Sequence, residues 1–207
     1  MTQVSIVDYQ TGNLGSVAQA LETLGVSARI ISTPHDVGES ELIILPGQGA
    51  IGEAMAFLRR SGLDVALTQF FESKKPVLGI CLGMQMMMDF SEEDGGVQGL
   101  GWVPGVVKKI TAEHGRRVPH MGWNSIHVKS DRWGYFQGQN ESYLYFAHSY
   151  YVEPISKDVV SAVTDYEGEI VSAIQTENVF GVQPHPEKSG EVGLAILKNF
   201  LRVWNMV

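Results

Sequence analysis

The sequence predicts an α/β fold, with a mostly parallel central sheet flanked by helices and an antiparallel β extension in the second half. Three observations predict it. Up to Phe90, short apolar runs alternate with amphipathic stretches, the pattern of successive βαβ units. One of those runs, Leu42-Ile43-Ile44-Leu45, is apolar at every position, as a strand covered on both faces requires. From Val97 to Phe180 the runs become short and β-rich, and turn residues divide them, as hairpins require.

Taken in order, Val4 to Tyr9 reads as a strand, and Leu14 to Leu24 carries apolar residues at helical spacing until Gly25 stops it. Ala28 to Ile31 is a short strand, and Leu42 to Leu45 the buried one, ended by Pro46 and Gly47. Residues 52–72 read as two helices divided near Ser61-Gly62. Pro76 to Ile80 is a further buried strand, followed by a helix from Leu82 to Phe90. Turns are expected at Glu113-His114-Gly115, Gly138-Gln139-Asn140 and Tyr166-Glu167-Gly168. Between and beyond them lie strands at Leu144 to Val152, Val159 to Thr164, Ile170 to Gln175 and Val179 to Val182. A last helix runs from about Ser189 to Trp204. No linker, repeat or low-complexity stretch interrupts this order, so residues 1–207 are expected to form one domain.

Composition narrows the function. A net charge of −8 opposes a nucleic-acid or anionic-membrane surface, which needs clustered Lys and Arg. One cysteine allows neither a disulfide framework nor a Cys-rich zinc site. The first residues lack a basic segment leading into an apolar one, and no run approaches the ~18 apolar residues of a membrane span. The expectation is a cytoplasmic chain that handles a small molecule, without metal or cofactor. Residues 47–52 do spell Gly-x-Gly-x-x-Gly, a dinucleotide-binding pattern. They follow the third strand rather than the first, and the acid at the right distance, Glu72, precedes a strand instead of ending one. The pattern is therefore discounted.

The lone cysteine stands in Gly79-Ile80-Cys81-Leu82-Gly83, where a strand passes directly into a helix. This is the pattern of a nucleophile elbow with cysteine in place of serine. Its glycines are expected where a Cβ would strike neighbouring backbone. The helix start favours a thiolate and offers free N–H groups, beginning with Leu82, to an oxyanion. A buried packing cysteine is the competing reading. Of six histidines, only His185 has a carboxylate at a telling spacing, in Gln183-Pro184-His185-Pro186-Glu187. Two prolines are expected to hold this segment extended. Glu187 would then project to the same side as His185 and fix its tautomer. The loop Pro46-Gly47-Gln48-Gly49 is expected beside the elbow on an adjacent parallel strand, with Gln48 or Gly49 giving a second oxyanion N–H. Glycines on both sides of Gln48 should let that peptide plane rotate, at a cost in turnover rather than stability when either is replaced. The residues alone leave open a glutaminase, a Cys hydrolase acting on esters or lactones, and a non-catalytic binding module.

Cys81 in GICLGMQ, PGQG at 46–49 and HPE at 185–187, in this order and spacing, resemble the class I (triad) glutamine amidotransferases. The resemblance runs from residue 4 to the last helix. It implies a flavodoxin-like fold, L-glutamine as substrate, a Cys81–His185–Glu187 triad, and ammonia passed to a synthase. Pro119-His120-Met121-Gly122-Trp123-Asn124, the opening VDYQTGNLGSV and YFAHSYY at 145–151 are similar to the glutaminase subunits of imidazole glycerol phosphate synthases. Those subunits work with a (β/α)8-barrel cyclase in histidine biosynthesis. By this resemblance, Gln85, Gly49 and the His148-Ser149-Tyr150 backbone hold the amino-acid end of the substrate. Asn13, Pro119, Gly122, Trp123, Tyr145 and Lys188 face the cyclase. A triad glutaminase serving a different synthase is the nearest alternative. Met84, Met86, Met87 and Met88 are read as core filler, and Lys108, Lys109, Arg116 and Arg117 as solvated hairpin faces.

Overall fold

The structure is a computed structural model that describes residues 4–111, 117–166 and 168–207. The expected turn at Glu113-His114-Gly115, Arg116 and residue Glu167 lie outside the described residues. In the first half, β1 (Val4–Val7), α1 (Leu14–Thr23), β2 (Ala28–Ile31), α2 (Pro34–Glu39), β3 (Leu42–Leu45), α3 (Ile51–Ser61), α4 (Leu63–Glu72) and β4 (Val77–Ile80) follow one another. Helix α2 is absent from the expectation, although Thr33 caps it and Pro34 opens it.

After β4 comes α5 (Leu82–Met86), only five residues long, and then β5 (Met88–Ser91). The helix expected to reach Phe90 stops early because other backbone claims its carbonyls. Leu100 N–H donates to Met86 O at 2.7 Å, Trp102 N–H to Met87 O at 2.9 Å and Gly99 N–H to Asp89 O at 2.9 Å. Those oxygens would otherwise accept from the next helical turn. The chain continues through β6 (Val97–Gln98), β7 (Val103–Lys109), β8 (His120–Ser125), β9 (His127–Val128), β10 (Tyr143–His148), β11 (Tyr150–Pro154), β12 (Val160–Asp165), β13 (Glu169–Gln175), β14 (Val179–Val182) and α6 (Gly190–Val203).

The expected strand at Leu144 to Val152 is two strands in two sheets. Among the described residues β10 pairs only with β8, whereas β11 pairs with β7 and β13 in the main sheet. The break falls at Ser149, where the buried His148 ring turns back to bond the Tyr150 carbonyl.

The main sheet runs β2-β1-β3-β4-β14-β13-β11-β7-β5-β6, with β12 and β9 beside β13. β2 through β14 are mutually parallel, and the antiparallel extension begins at β13. Strand residues alternate between two hydrophobic layers. Ile43 and Leu45 pack with Met55, Leu58 and Leu67 of α3 and α4. Leu42 and Ile44 pack with Val17 and Leu21 of α1 and Phe200 of α6. The continuous apolar run of β3 thus reflects cover on both faces.

At the carboxyl edge, β3 and β4 bring backbone against backbone. A Cβ on Gly79 would lie 2.8 Å from the Gly83 carbonyl carbon, and one on Gly83 would collide with the Leu45 carbonyl. The elbow exists because these positions have no side chain. Replacing Gly83 by Ala should lower stability by about 3 kcal/mol, the upper end of overpacking costs. A lower midpoint at unchanged slope in urea unfolding checks it.

Candidate active site

Cys81 sits between β4 and α5 with φ +50° and ψ −104°, a conformation that costs a non-glycine residue about 1–3 kcal/mol. The turn is held by Cys81 N–H donating to Val182 O at 2.7 Å and Gln85 N–H donating to Cys81 O at 3.1 Å. Its thiol opens on a cavity of about 290 Å³ at the carboxyl end of the parallel strands, lined by Gln48, Gly49, Leu82, Gln85, Ala147 and Tyr150 among others. This is where open α/β sheets bind ligands.

His185 and Glu187 lie behind Cys81, buried outside the cavity lining. His185 Nδ1 and Glu187 Oε1 are 2.8 Å apart, with 1% and 2% of their side chains accessible. The segment is not extended as expected. His185 precedes a single 3-10 turn, Pro186–Lys188, and that turn carries Glu187 back to the ring. Burial, the largest influence on the imidazole, pulls its pKa down. The Cys81 thiol and the Glu187 carboxylate together outweigh burial and raise it to about 9. With Nδ1 committed to Glu187, the sulfur acts from the side of Nε2, which makes no hydrogen bond of ordinary geometry. Such contacts are commonly long until substrate arrives. The loop is tied down by His185 N–H donating to Tyr145 O at 2.8 Å and by Ser189 Oγ donating to His185 O at 2.6 Å.

The glycine loop lies against the elbow. A Cβ on Gly47 would be 2.5 Å from Leu82 N and 2.6 Å from Leu82 Cβ. Gly47 is therefore a packing residue, and the expectation that its replacement spares stability is corrected. Rotational freedom beside Gln48 is confined to Gly49, whose φ is +117°. Leu82, Gln48 and Gly49 line the same cavity as Cys81.

Gln85 also lines the cavity, nearly buried, and donates from Nε2 to Tyr150 O at 2.9 Å and to Gln183 Oε1 at 3.2 Å. Both its hydrogens are used, so it can offer a ligand only its Oε1. The Tyr150 carbonyl also accepts from His148 Nδ1 at 2.8 Å. Both its lone pairs are taken, which removes that carbonyl from the expected substrate contacts. His148 and Ser149 line the cavity as expected. Glu93 is a lining residue that the sequence reading missed, half-buried, with Oε2 accepting from Ile51 N–H at 3.1 Å. Burial, ahead of its other influences, raises its carboxyl pKa. In the sequence it looks like one of several surface acids in Glu92-Glu93-Asp94.

Pro119 lines the cavity mouth. Gly122, Trp123 and Tyr145 lie on the β8–β10 pair, with Trp123 opposite Tyr145 and their rings 6.2 Å apart. Trp123 is 58% exposed, so it is no core residue, and Met121 and Tyr143 extend the same exposed apolar face. Lys188 ends the 3-10 turn beside Glu187. Asn13 caps α1 through Ser16 N–H at 3.3 Å.

The model of the class-I glutamine amidotransferase family matches residues 5–204. The chain belongs to the class-I glutamine amidotransferases. It is 44% identical over 200 residues to the imidazole glycerol phosphate synthase subunit HisH of Methanothermobacter thermautotrophicus, covering 97% of this chain and 98% of that one. It is equally identical to the chloroplastic imidazole glycerol phosphate synthase hisHF of Arabidopsis thaliana. There the match covers 96% of this chain but spans only 34% of the plant protein's length. Among solved structures, PurLQS from Thermotoga maritima shares the fold at a TM-score of 0.77 and 20% identity, with 97% of each chain covered.

His148 makes the site sensitive to acid. Burial, helped by His120 and His185, lowers its pKa to about 3, against its bond to Tyr150 O. The unfolded chain protonates this ring near pH 6.5 and the folded chain does not, so its contribution to stability is complete above pH 6.5 and is lost as pH falls toward 3. Stability should decline by about 1.4 kcal/mol per pH unit through this window from His148 alone. A His148→Asn variant, compared by urea unfolding from pH 7 to pH 4.5, should lose that component of the slope.

Proposed function

We propose that this chain is the glutaminase subunit of an imidazole glycerol phosphate synthase. It hydrolyses L-glutamine to glutamate and ammonia, and delivers the ammonia to a (β/α)8-barrel cyclase subunit in cytoplasmic histidine biosynthesis. The observation that carries the reading is the buried His185 held between the Glu187 carboxylate and the sulfur of Cys81, the residue of the three that lines an amino-acid-sized cavity.

Glutamine enters with its side-chain amide toward Cys81. Its ammonium needs acceptors, and Glu93 and the Oε1 of Gln85 are the acceptors available. Its carboxylate takes N–H donors from the Gly49 and His148-Ser149 backbone. Cys81 attacks the amide carbon as a thiolate, and the oxyanion is met by the N–H groups of Leu82 and of Gln48 or Gly49. One such donor is worth about 100- to 1,000-fold in rate. The imidazolium of His185 protonates the departing ammonia, then takes a proton from the water that cleaves the thioester. Glu187 holds Nδ1 protonated throughout, leaving Nε2 for the reaction.

The exposed Met121, Trp123 and Tyr143, with Tyr145 beside them, are the docking face for the cyclase, near the mouth lined by Pro119. Apolar aromatics in a patch of this kind are what protein interfaces bury. Asn13, Gly122 and Lys188 belong to its rim.

Ammonia release from glutamine, measured with and without a barrel cyclase and its ribonucleotide ligand, tests the proposal. Cys81→Ala should abolish release while leaving binding to the cyclase intact; release at the unaltered rate would end the proposal. Trp123→Ala should weaken cyclase binding about 30-fold or more, the loss typical of a central aromatic anchor. Glu93→Gln should raise the KM for glutamine with much less change in kcat.

A further inference from the structure

The Cys81 sulfur is met by an amide with no part in the mechanism above. Gln183, with no accessible surface, places Nε2 3.4 Å from Sγ. Its orientation is set by its neighbours. The Tyr150 carbonyl can only accept, so the Gln85 nitrogen beside it is a donor, and that nitrogen's second hydrogen goes to the Gln183 oxygen at 3.2 Å. Gln183 is left with its NH₂ group toward the sulfur. Tyr150 O is fixed in turn by His148 at 2.8 Å. The amide is therefore aimed rather than free to flip.

The geometry points to Gln183 as a further catalytic residue, one whose N–H stabilises the anionic sulfur of Cys81 before attack and again when that sulfur is expelled. This rests on the reading of Cys81 as the nucleophile. In the first half-reaction a sulfur lone pair forms the S–C bond as the carbonyl pair moves to oxygen; that pair returns as the C–N bond breaks, and the nitrogen leaves as ammonia with a proton from the His185 imidazolium. The N–H contact then weakens because a thioester sulfur is a poor acceptor. In the second half-reaction water adds to the thioester carbon and His185 takes one of its protons. The tetrahedral oxyanion then collapses, the C–S bond breaks and its electron pair returns to sulfur. There the pair faces two donors, the imidazolium of His185 and the amide of Gln183. Glutamate leaves as the acid and ionises. The Ala147 carbonyl, 3.9 Å from the sulfur, is an acceptor and gives a thiolate no support, which makes the amide's contribution more important.

The test uses the fact that the chain has one cysteine, so alkylation by iodoacetamide reports Cys81 alone. Hydrogen bonds to charged groups are worth tenfold or more, and sulfur accepts at the weak end of that range. Gln183→Met removes the donor at similar length. It should raise the pH midpoint of alkylation by about one unit. It should also lower kcat for ammonia release about tenfold in the complex with the cyclase, with KM for glutamine little changed. Gln183→Glu keeps the shape and places an acceptor on the sulfur, so its midpoint should rise further; it also serves where the Met variant does not fold. Midpoints within about 0.2 units of the unaltered protein, or a rise in KM equal to the fall in kcat, would overturn the inference. Ammonia release that survives Cys81→Ala would instead overturn the underlying reading. Loss of release in that variant, with unchanged Gln183 profiles, removes the role of Gln183 alone.

Discussion

A carboxylate with 2% of its side chain accessible is tolerable only beside a cation. Glu187 has one oxygen on His185 and the other without a hydrogen bond. Deprived of water, that charge demands a positive partner, and His185 is the group in reach. The ring's affinity for a proton follows from that demand and from the sulfur on its far side. The rest of the centre is arranged around this constraint. Tyr145 O and Ser189 Oγ fix the loop that carries the pair, and Val182 O fixes the cysteine opposite. His148, which lines the same cavity as Cys81, is kept neutral by burial. Two imidazoles in one site thus take opposite protonation states, one because an anion touches it and the other because none does.

The backbone contact beneath the site serves the same end. β3 and β4 are parallel neighbours, and the loop after one rests on the turn after the other through Gly47 and Gly83. This is what brings residues of two separate segments, Gln48 and Gly49 from one and Leu82 from the other, to one cavity. A positive φ at Cys81 is sustained because its N–H and its carbonyl are both bonded, to Val182 O and from Gln85 N–H.

Much of this was legible in residues. The parallel half could be read because strands covered on both faces lose their alternation, as Leu42 to Leu45 do. The elbow could be read because few local structures need glycines flanking a cysteine between a strand and a helix. What stayed hidden depends on distant partners. No periodicity near Met88 announces that residues 99–103 will take the carbonyls of 86–89 and turn helix into strand. The split at Ser149 and the 3-10 turn after His185 likewise come from contacts remote in sequence. Glu93 and Gln183 lack any local signature, since one is held by the start of α3 and the other by Gln85 of α5. Helix α2 is the exception: Thr33, Pro34 and Asp36 mark its start in the sequence itself.

The exposed face of β8 and β10 has a consequence for the chain in isolation. Met121, Trp123 and Tyr143 keep oily surface in water until another molecule covers it. A second copy presents the same surface and can serve as a poor substitute. Mutual repulsion between molecules each carrying eight excess negative charges opposes that pairing, and dissolved ions weaken the repulsion without touching the patch. Colloidal behaviour of the isolated chain is thus a balance between an uncovered apolar face and its own acidity.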